Sequence, residues 1–328
     1  MEIKQNIISH YNGQDIIEYQ MIMANGFQVN FLNYGCIITA IFAPDKNNHY
    51  TNVVLKHAKF NPENPGHFGA LTGRVAGRIA SAQFELDNNI YKLMPNNKMH
   101  NLHGGPNGLD KQIWNVQFVN DGAILNYLSP DNESGFPSSV EFIVEYLITQ
   151  ENSLTLNYYA KPSSNTIINL TNHSYFDLSG GINPLNQQLQ INADYYAEID
   201  TTGIVSGVIS SVADTPFDFR RMKMLHSGIV SSHPQIQIAN GYDHPLILKD
   251  QRIILTDPLT KRQLDIITDQ DVCVLYSANH IKHSAICLET QAMPNAINWP
   301  EYRESVIYTP HKPYNSHNVW QFSVTSDE

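Results

Sequence analysis

The segment WNVQFVNDGAILNYLSP, residues 114–130, alternates apolar and polar side chains on both sides of the tripeptide Asn120-Asp121-Gly122. Alternation with a period of two is typical of a half-buried β-strand, and an Asp-Gly pair between two such runs is typical of a hairpin turn. The segment therefore predicts two antiparallel strands. It decides the fold class, because the same pattern recurs along the chain whereas helical periodicity is scarce.

Several further segments repeat this alternation. FELDNNIYKL (84–93) predicts a second hairpin, and SVEFIVEYLIT (139–149) and SLTLNYYA (153–160) predict two more strands. Short β-rich segments follow in the second half of the chain, namely HPLILKD, RIILTDP, QLDIITD, VCVLYSA and SAICLETQ. With 17 prolines and 18 glycines between them, these segments predict an all-β fold, a large β-sandwich or barrel-like architecture.

No linker, low-complexity segment or internal repeat divides the chain. All-β sandwiches can extend to about 200–250 residues as one unit, so we expect a single domain over residues 1–328. The segments 131–137 and 226–241 combine turn-forming residues with weak alternation, and we expect both to be long loops.

Composition excludes several classes of function. The net charge of -11 and the lack of any Lys/Arg-rich run argue against a nucleic-acid partner. No apolar run is long enough to span a bilayer, and the first residues do not resemble a signal peptide. Cys36, Cys273 and Cys287 each lie in an apolar stretch. They predict buried, reduced thiols and a soluble, cytoplasmic protein without a membrane partner.

The segment NLTNHSYFDLSG, residues 169–180, is unusually polar. If it is extended, Asn169, Thr171, His173, Tyr175 and Asp177 share one face. Short amides, a hydroxyl, an imidazole and a phenol are suited to binding a sugar. The alternative is a polar strand end that carries a surface histidine, and the segment alone does not decide between them.

Arg78 in GRVAGRIA and His103 in LHGG lie on either side of the hairpin predicted for residues 84–93, so the chain can return them to one place. His103 precedes Gly104 and Gly105, which allow the backbone to approach closely. His100 and His103 form an HxxH pair, but zinc sites need a further ligand at a recognisable spacing. None is nearby, and we expect no metal.

Two carboxylates complete the set of candidates. Asp243, in GYDHP, is either a turn former or a site residue. Glu289 lies in the apolar segment SAICLETQ, so it is paired, hydrogen-bonded or functional, unless it is exposed on an outward face. Partial burial would raise the pKa of this carboxylate, as a general base near neutral pH requires.

Taken together and in this order, the motifs LHGG, NLTNHSYF and CLETQ resemble the aldose 1-epimerase (galactose mutarotase) family. The resemblance extends from NYGCIITAIFAPD (33–45) to VWQFSV (319–324). It implies a β-supersandwich fold and an isomerase that interconverts the α and β anomers of a free aldose such as galactose or glucose. It implies no metal and no organic cofactor.

The resemblance also implies roles for individual residues. Glu289 of CLETQ would be the general base, and His173 of NLTNHSYF would be the general acid. Arg78, His103 and Asp243 would bind the hydroxyl groups of a monosaccharide substrate.

The chain departs from the family pattern at three places. Gly77 stands where many members carry Asn, Asp177 replaces an Asn common after SYF, and the segment before CLETQ is shorter. The sugar preference and the oligomeric state, monomer or homodimer, stay open.

A hexose phosphate, a disaccharide and a non-catalytic sugar-binding module are the alternatives. A phosphate would need a basic cluster, and the dense one at Arg220, Arg221 and Lys223 is interpreted as a surface turn.

Overall fold

The computed structural model describes residues 1–326, and strands dominate it. The first sheet follows the order of the chain and is antiparallel throughout. Its strands are β1 (Glu2–Tyr11), β2 (Gln14–Ile22), β3 (Gln28–Leu32), β4 (Ile38–Pro44) and β5 (Tyr50–Asn52).

Short strand pairs follow this sheet. They are formed by β6 (Leu71–Thr72), β7 (Arg78–Ile79), β8 (Gln83–Leu86), β9 (Asn89–Lys92) and β10 (Asn101–Leu102). Strands β8 and β9 form the hairpin predicted from FELDNNIYKL. Strand β7 pairs with β10, with Arg78 opposite Leu102. This pairing returns the chain to Arg78 just before His103.

The largest sheet has twelve strands. They are β11 (Asn115–Val119), β12 (Gly122–Ser129), β13 (Val140–Ile148), β14 (Ser153–Pro162), β17 (Gln188–Ile199), β18 (Val205–Ser211), β19 (Lys223–Met224), β20 (Asp243–Thr256), β21 (Arg262–Thr268), β22 (Val272–Tyr276), β23 (Cys287–Gln291) and β25 (Tyr314–Val324). Short pairs join β15 (Thr166–Ile167) to β24 (Ile307–Tyr308) and β16 (Thr171–Asn172) to β6.

The order of the large sheet is β11-β12-β13-β14-β25-β21-β20-β17-β18. Strand β22 branches from β20 and carries β23 at its far side, while β19 pairs with β17. Strands β11 and β12 are the hairpin predicted from residues 114–130. The short branch matters for the site, because it places β23 next to the polar segment around His173.

The two main sheets share one hydrophobic core. Phe31 and Ile41 of the first sheet belong to the same buried cluster as Leu156 and Trp320 of the large sheet. The rings of Phe31 and Tyr146 meet edge to face, with centroids 5.6 Å apart. Alternation along the strands produces this arrangement, since inward residues are apolar and outward residues are polar. The all-β sandwich is confirmed.

The segment 226–241 differs from the loop expected for it. It contains most of α1 (Leu225–Ile229) and all of α2 (Pro234–Ala239). Helix α2 begins with Pro at its first position, and the ring of His233 accepts a hydrogen bond from the Gln235 N–H group. These helices are too short to show periodicity, so alternation and turn residues alone predicted a loop wrongly.

One other feature of the second half differs in detail. HPLILKD and RIILTDP belong to one continuous strand, β20, which ends at Thr256, rather than to two strands. The remaining helical pieces are single 3-10 turns at Ala80–Ala82, Leu109–Lys111, Glu133–Gly135, Pro184–Asn186, Asn279–Ile281, Ala296–Asn298 and Arg303–Ser305. The segment 131–137 is a loop as expected, apart from one of these turns.

The three cysteines are buried free thiols, as predicted. Within residues 1–326, the helices are all too short or too polar to cross a membrane. Arg220 lies in an exposed turn, where it pairs with Asp218 and Asp194. The basic cluster is therefore a surface turn, as expected.

Arg74 anchors the segment that leads to Arg78. Its side chain is buried, and it donates to the carbonyl oxygens of Pro130, Pro137 and Ser138 at 2.6–3.0 Å. Burial lowers the pKa of Arg74 to about 10, although nearby Glu133 opposes this effect. A buried guanidinium with this many partners ties the loop to the sandwich.

We expect Arg74→Met to lower the free energy of unfolding by about 2–5 kcal/mol, because it leaves buried carbonyl oxygens without donors. Urea unfolding followed by tryptophan fluorescence measures this. Arg220→Met removes an equal side chain from the surface and should have a much smaller effect, because exposed ion pairs contribute little. Equal losses in the two variants would show that Arg74 is not an anchor.

Candidate active site

A pocket of about 250 Å³ lies where β7 and β10 meet the ends of β20, β22 and β23. All five residues singled out from the sequence line it: Arg78, His103, His173, Asp243 and Glu289. They come from five separate segments of the chain. The fold therefore brings together what the sequence separates by as many as 211 positions (289 − 78).

His173 is held by its backbone just after β16. Its N–H group donates to the carbonyl oxygen of Ala70 at 2.8 Å, and its own carbonyl accepts from Gly69 at 3.0 Å. Its ring stacks on that of Tyr175, with centroids 5.0 Å apart. The side chain is 6% exposed. It is thus a fixed group in the wall of the pocket rather than a surface histidine.

The polar segment around His173 is not one continuous strand. Only short pieces of it pair, and residues 166–179 are buried on both faces. The Asn169 amide brackets the backbone of Ala292. Asp177 caps a turn by accepting from the N–H groups of Ser179 and Gly181. Of the predicted polar face, His173 and Tyr175 reach the pocket, and Asp177 acts away from it.

Glu289 lies on β23, opposite Val274 of β22. Its carboxylate is 4% exposed, and Oε1 is 3.4 Å from Nε2 of His173. The outward-facing alternative is therefore excluded. Gln291, two residues further on the same face, also lines the pocket, and its buried amide has no protein partner among the described residues.

Burial sets the protonation of this pair. The pKa of His173 is lowered to about 3, mainly by desolvation and to a smaller extent by the neighbouring His67. Desolvation also raises the pKa of Glu289 well above its ordinary value. The charge of Asp243 adds to this rise, whereas Arg78 opposes it. The proton of the pair therefore resides on Glu289, opposite a neutral imidazole.

His103 is buried in a loop that needs glycine. A Cβ atom on Gly104, where φ is +86°, would lie 1.8 Å from the carbonyl oxygen of Gly73. The Gly77 N–H group donates to Nδ1 of His103 at 3.2 Å. Because Nδ1 accepts, neutral His103 carries its proton on Nε2. Burial lowers the pKa of this imidazole well below its usual range, which keeps it neutral.

Arg78 and Asp243 form the more open side of the pocket. Nη1 of Arg78 lies 3.4 Å from Oδ2 of Asp243, with side chains 22% and 24% exposed. Arg78 also donates to Asn97 Oδ1 and to the carbonyl oxygen of Gly203. This pair offers both donors and acceptors to solvent.

The structure explains why position 77 is occupied by glycine rather than asparagine. Its φ is +75°, and a Cβ atom there would lie 2.8 Å from Cβ of Pro294. An Asn at this position would require Pro294 to move. The segment before β23 contributes His280 to the rim of the pocket, where Nδ1 of His280 lies 2.7 Å from the Tyr276 hydroxyl.

The HxxH pair does not form a metal site. His100 turns away from the pocket, since its Nδ1 accepts from the Ser81 N–H group and its Nε2 lies 3.1 Å from the Thr202 hydroxyl. His103, His173 and Glu289 do offer ligand atoms within 4.8 Å of one another. A ligating imidazole must present a lone pair, however, and that of His103 is engaged by the Gly77 N–H group. The donor set therefore does not fit a metal.

Sequence reasoning missed part of the pocket wall. His67, Tyr276, His280 and Gln291 line the pocket as well. His67 lies between Gly66 and Gly69, in GHFG, a setting close to that of His103 in LHGG. That similarity could have identified His67 as a candidate pocket residue. Tyr276 and His280 carried none, because they lie at the end of an ordinary apolar strand and in an irregular turn.

Comparisons with known proteins agree with this geometry. A sequence profile described as aldose 1-epimerase matches residues 18–320. The galactose mutarotase of Sus scrofa is 34% identical over 331 residues, covering 94% of this chain and 94% of the relative. The aldose 1-epimerase of Haemophilus influenzae is 33% identical over 317 residues, covering 89% and 92%.

Solved structures are similar over nearly the whole fold. A galactose 1-epimerase from Lactobacillus acidophilus superposes with a TM-score of 0.89 at 26% identity, covering 99% of each chain. An aldose epimerase homologue from C. elegans superposes with a TM-score of 0.87 at 26% identity, covering 94% of this chain and 100% of its own. The chain belongs to the aldose 1-epimerase family.

Proposed function

We propose that the pocket binds the pyranose form of a free aldose and that Glu289 and His173 together interconvert its anomers. The protein is an isomerase of the aldose 1-epimerase type, and the roles of its residues are the proposal. The observation that supports them is the buried pair itself, with Oε1 of Glu289 3.4 Å from Nε2 of His173. Such a pair can hold one proton and exchange it with both oxygens of a hemiacetal.

Ring opening needs two proton transfers. Glu289, as carboxylate, takes the proton of the C1 hydroxyl, and His173, as imidazolium, donates a proton to the ring oxygen. The bond from C1 to the ring oxygen breaks as the C1 carbonyl forms. Rotation about the C1–C2 bond exposes the other face of the aldehyde. Closure then returns both protons by the reverse transfers, so the enzyme is unchanged.

The neutral pair of Glu289 and His173 is consistent with this cycle. It carries the same single proton as the carboxylate–imidazolium pair that starts the cycle. It is also the form that the enzyme has after ring opening. A proton moves from Glu289 to His173 when the carboxylate is stabilised. Arg78 already stabilises it, and sugar hydroxyls beside it would add hydrogen bonds.

The remaining residues position the sugar. Arg78 presents guanidinium donors, and Asp243 presents a carboxylate that only accepts. His103 is neutral and donates through Nε2, which suits a hydroxyl oxygen. An aldose without charged groups matches this balance, because Arg78 is the only Lys or Arg among the described residues of the pocket wall and Asp243 already pairs with it.

A hexose phosphate is not favoured. The basic turn at Arg220 lies in a separate depression, and its guanidinium is already paired with carboxylates. The three buried thiols support a reducing compartment, such as the cytoplasm, as the place where the enzyme works.

Glu289→Gln and His173→Asn are expected to lower kcat for mutarotation by about 10²–10⁴-fold each, since each removes one positioned proton carrier. Polarimetry on freshly dissolved α-galactose and α-glucose, corrected for the buffer rate, measures this. Full activity in Glu289→Gln would end the proposed mechanism.

Thermal unfolding provides the control for Glu289→Gln. The pKa of Glu289 is raised in the folded protein, so its carboxyl costs stability as the pH rises above the pKa of the unfolded chain. Gln cannot ionise. We therefore expect the Tm at pH 7–8 to equal or exceed that of the wild type, with a smaller difference near pH 4. A large drop in Tm would mean that lost folding explains lost activity.

The pH dependence tests the charges around Glu289. The pair is competent while it holds one proton, so the basic limb of kcat/KM reports the loss of the proton from Glu289. Asp243 raises the pKa of Glu289 and Arg78 lowers it. Asp243→Asn should therefore move the basic limb to lower pH, and Arg78→Gln should move it to higher pH.

Both variants, like Asp243→Ala, should also raise KM, since each removes a sugar contact. The opposite direction of the two pH shifts is the decisive result. Shifts in the same direction, or no shift in either variant, would show that Glu289 does not control the basic limb.

A further inference from the structure

A second histidine–carboxylate pair adjoins the same pocket, which is lined by its histidine, His67. Nδ1 of His67 is 2.9 Å from Oδ2 of Asp110. The Asp110 side chain is fully buried, and its other oxygen has no partner among the described residues. Burying a carboxylate with one partner is costly. Asp110 is therefore poorly explained as a structural residue alone, and it holds His67 in one orientation.

The backbone also holds His67 toward the pocket. His67 has φ of +55°, a left-handed conformation uncommon for a residue with a side chain. Its N–H group donates to the carbonyl oxygen of Asn64 at 2.8 Å. The carbonyl of the preceding Gly66 accepts from the Tyr175 hydroxyl at 2.6 Å. A strained residue held on both sides, with its side chain 16% exposed, is suited to binding a ligand.

The ring of His67 adjoins the proposed sugar contacts. Its centroid lies 4.7 Å from that of His103 and 6.0 Å from that of His173. Asp110 accepts only, so Nδ1 of His67 carries a proton and, in the neutral ring, Nε2 presents a lone pair. His103 is the opposite case, because its Nδ1 accepts from Gly77 and its Nε2 carries the proton. The two adjacent rings thus offer one acceptor and one donor.

We propose that His67, oriented by Asp110, accepts a hydrogen bond from one hydroxyl of the sugar while His103 donates to the oxygen of the same hydroxyl. A hydroxyl group donates one hydrogen bond and accepts others, so the two rings match it. A site built this way discriminates against a sugar that lacks the hydroxyl, because its polar groups would be left unpaired. His67 and Asp110 would then determine which aldoses are accepted. This inference rests on the proposed function of the pocket.

The test compares His67→Phe and His67→Gln with the wild type on α-galactose and on its 2-, 3-, 4- and 6-deoxy analogues. All of these sugars retain the C1 hydroxyl and the ring oxygen. We expect His67→Phe to raise KM for galactose by about 3- to 10-fold, the value of one neutral hydrogen bond, with a smaller change in kcat. For one deoxy analogue the KM ratio of variant to wild type should fall close to one.

His67→Gln keeps an acceptor oxygen on the side chain and should recover part of the affinity for galactose. Asp110→Asn should raise KM with the same pattern across the analogues but to a smaller extent, because it releases the orientation of His67. Since Asp110 is fully buried, the Tm of the Asp110→Asn variant is measured as well. If that variant unfolds, the two His67 variants alone provide the test. His317→Phe, at an exposed position of β25, is the matched control and should leave KM unchanged.

Three outcomes would overturn the proposal. They are an unchanged KM in His67→Phe, a loss confined to kcat, and an equal KM ratio for galactose and all four analogues. If the wild type did not accelerate mutarotation, the proposed function would fail instead. Calorimetric titration with the same sugars would then test His67 on its own, since affinity for one hydroxyl does not depend on catalysis.

Discussion

The site depends on one constraint, the burial of an imidazole and a carboxylate side by side. In this setting neither group ionises alone at low cost, because desolvation lowers the pKa of His173 and raises that of Glu289. The pair therefore shares a single proton, and its two arrangements differ by a transfer across 3.4 Å. A reaction that removes a proton from one oxygen and adds one to its neighbour needs such a pair. The surrounding fold keeps water away from the pair, and it holds the two side chains at a fixed separation.

The sandwich meets this requirement by placing the two residues on separately anchored pieces of backbone. Glu289 lies on β23, which is held by β22 at the branch of the large sheet. His173 is held by hydrogen bonds to the segment that begins with Gly69 and Ala70. The next part of that segment is fixed by buried Arg74. The geometry of the pair is thus set by sheet and loop contacts that do not involve the two side chains themselves.

The sequence predicted the fold class and the five main pocket residues, for different reasons. Alternation in residues 114–130 is a local property, so the hairpins and the all-β class could be read directly. Glu289 stood out because a carboxylate in an apolar strand requires an explanation. The helices in 225–239 could not be predicted, because a helix of one or two turns has no period to detect. Two features could not be predicted, because they depend on how the chain folds. They are the position of Asp177 in a turn and the contact between Gly77 and Pro294.

The histidines of the pocket differ most clearly in what Nδ1 contacts, and that difference separates binding from proton transfer. Nδ1 of His103 accepts from a backbone N–H group and Nδ1 of His67 faces a carboxylate, so each ring has a fixed tautomer. Nδ1 of His173 is buried without a partner among the described residues. Its Nε2 instead lies 3.4 Å from Oε1 of Glu289, so this nitrogen can exchange a proton with that carboxyl group. A ring whose Nδ1 has a fixed partner is suited to recognising a hydroxyl, whereas a ring whose Nε2 faces a carboxyl group of raised pKa can give up and recover a proton. By this criterion His173 is the histidine of the three best suited to the chemistry.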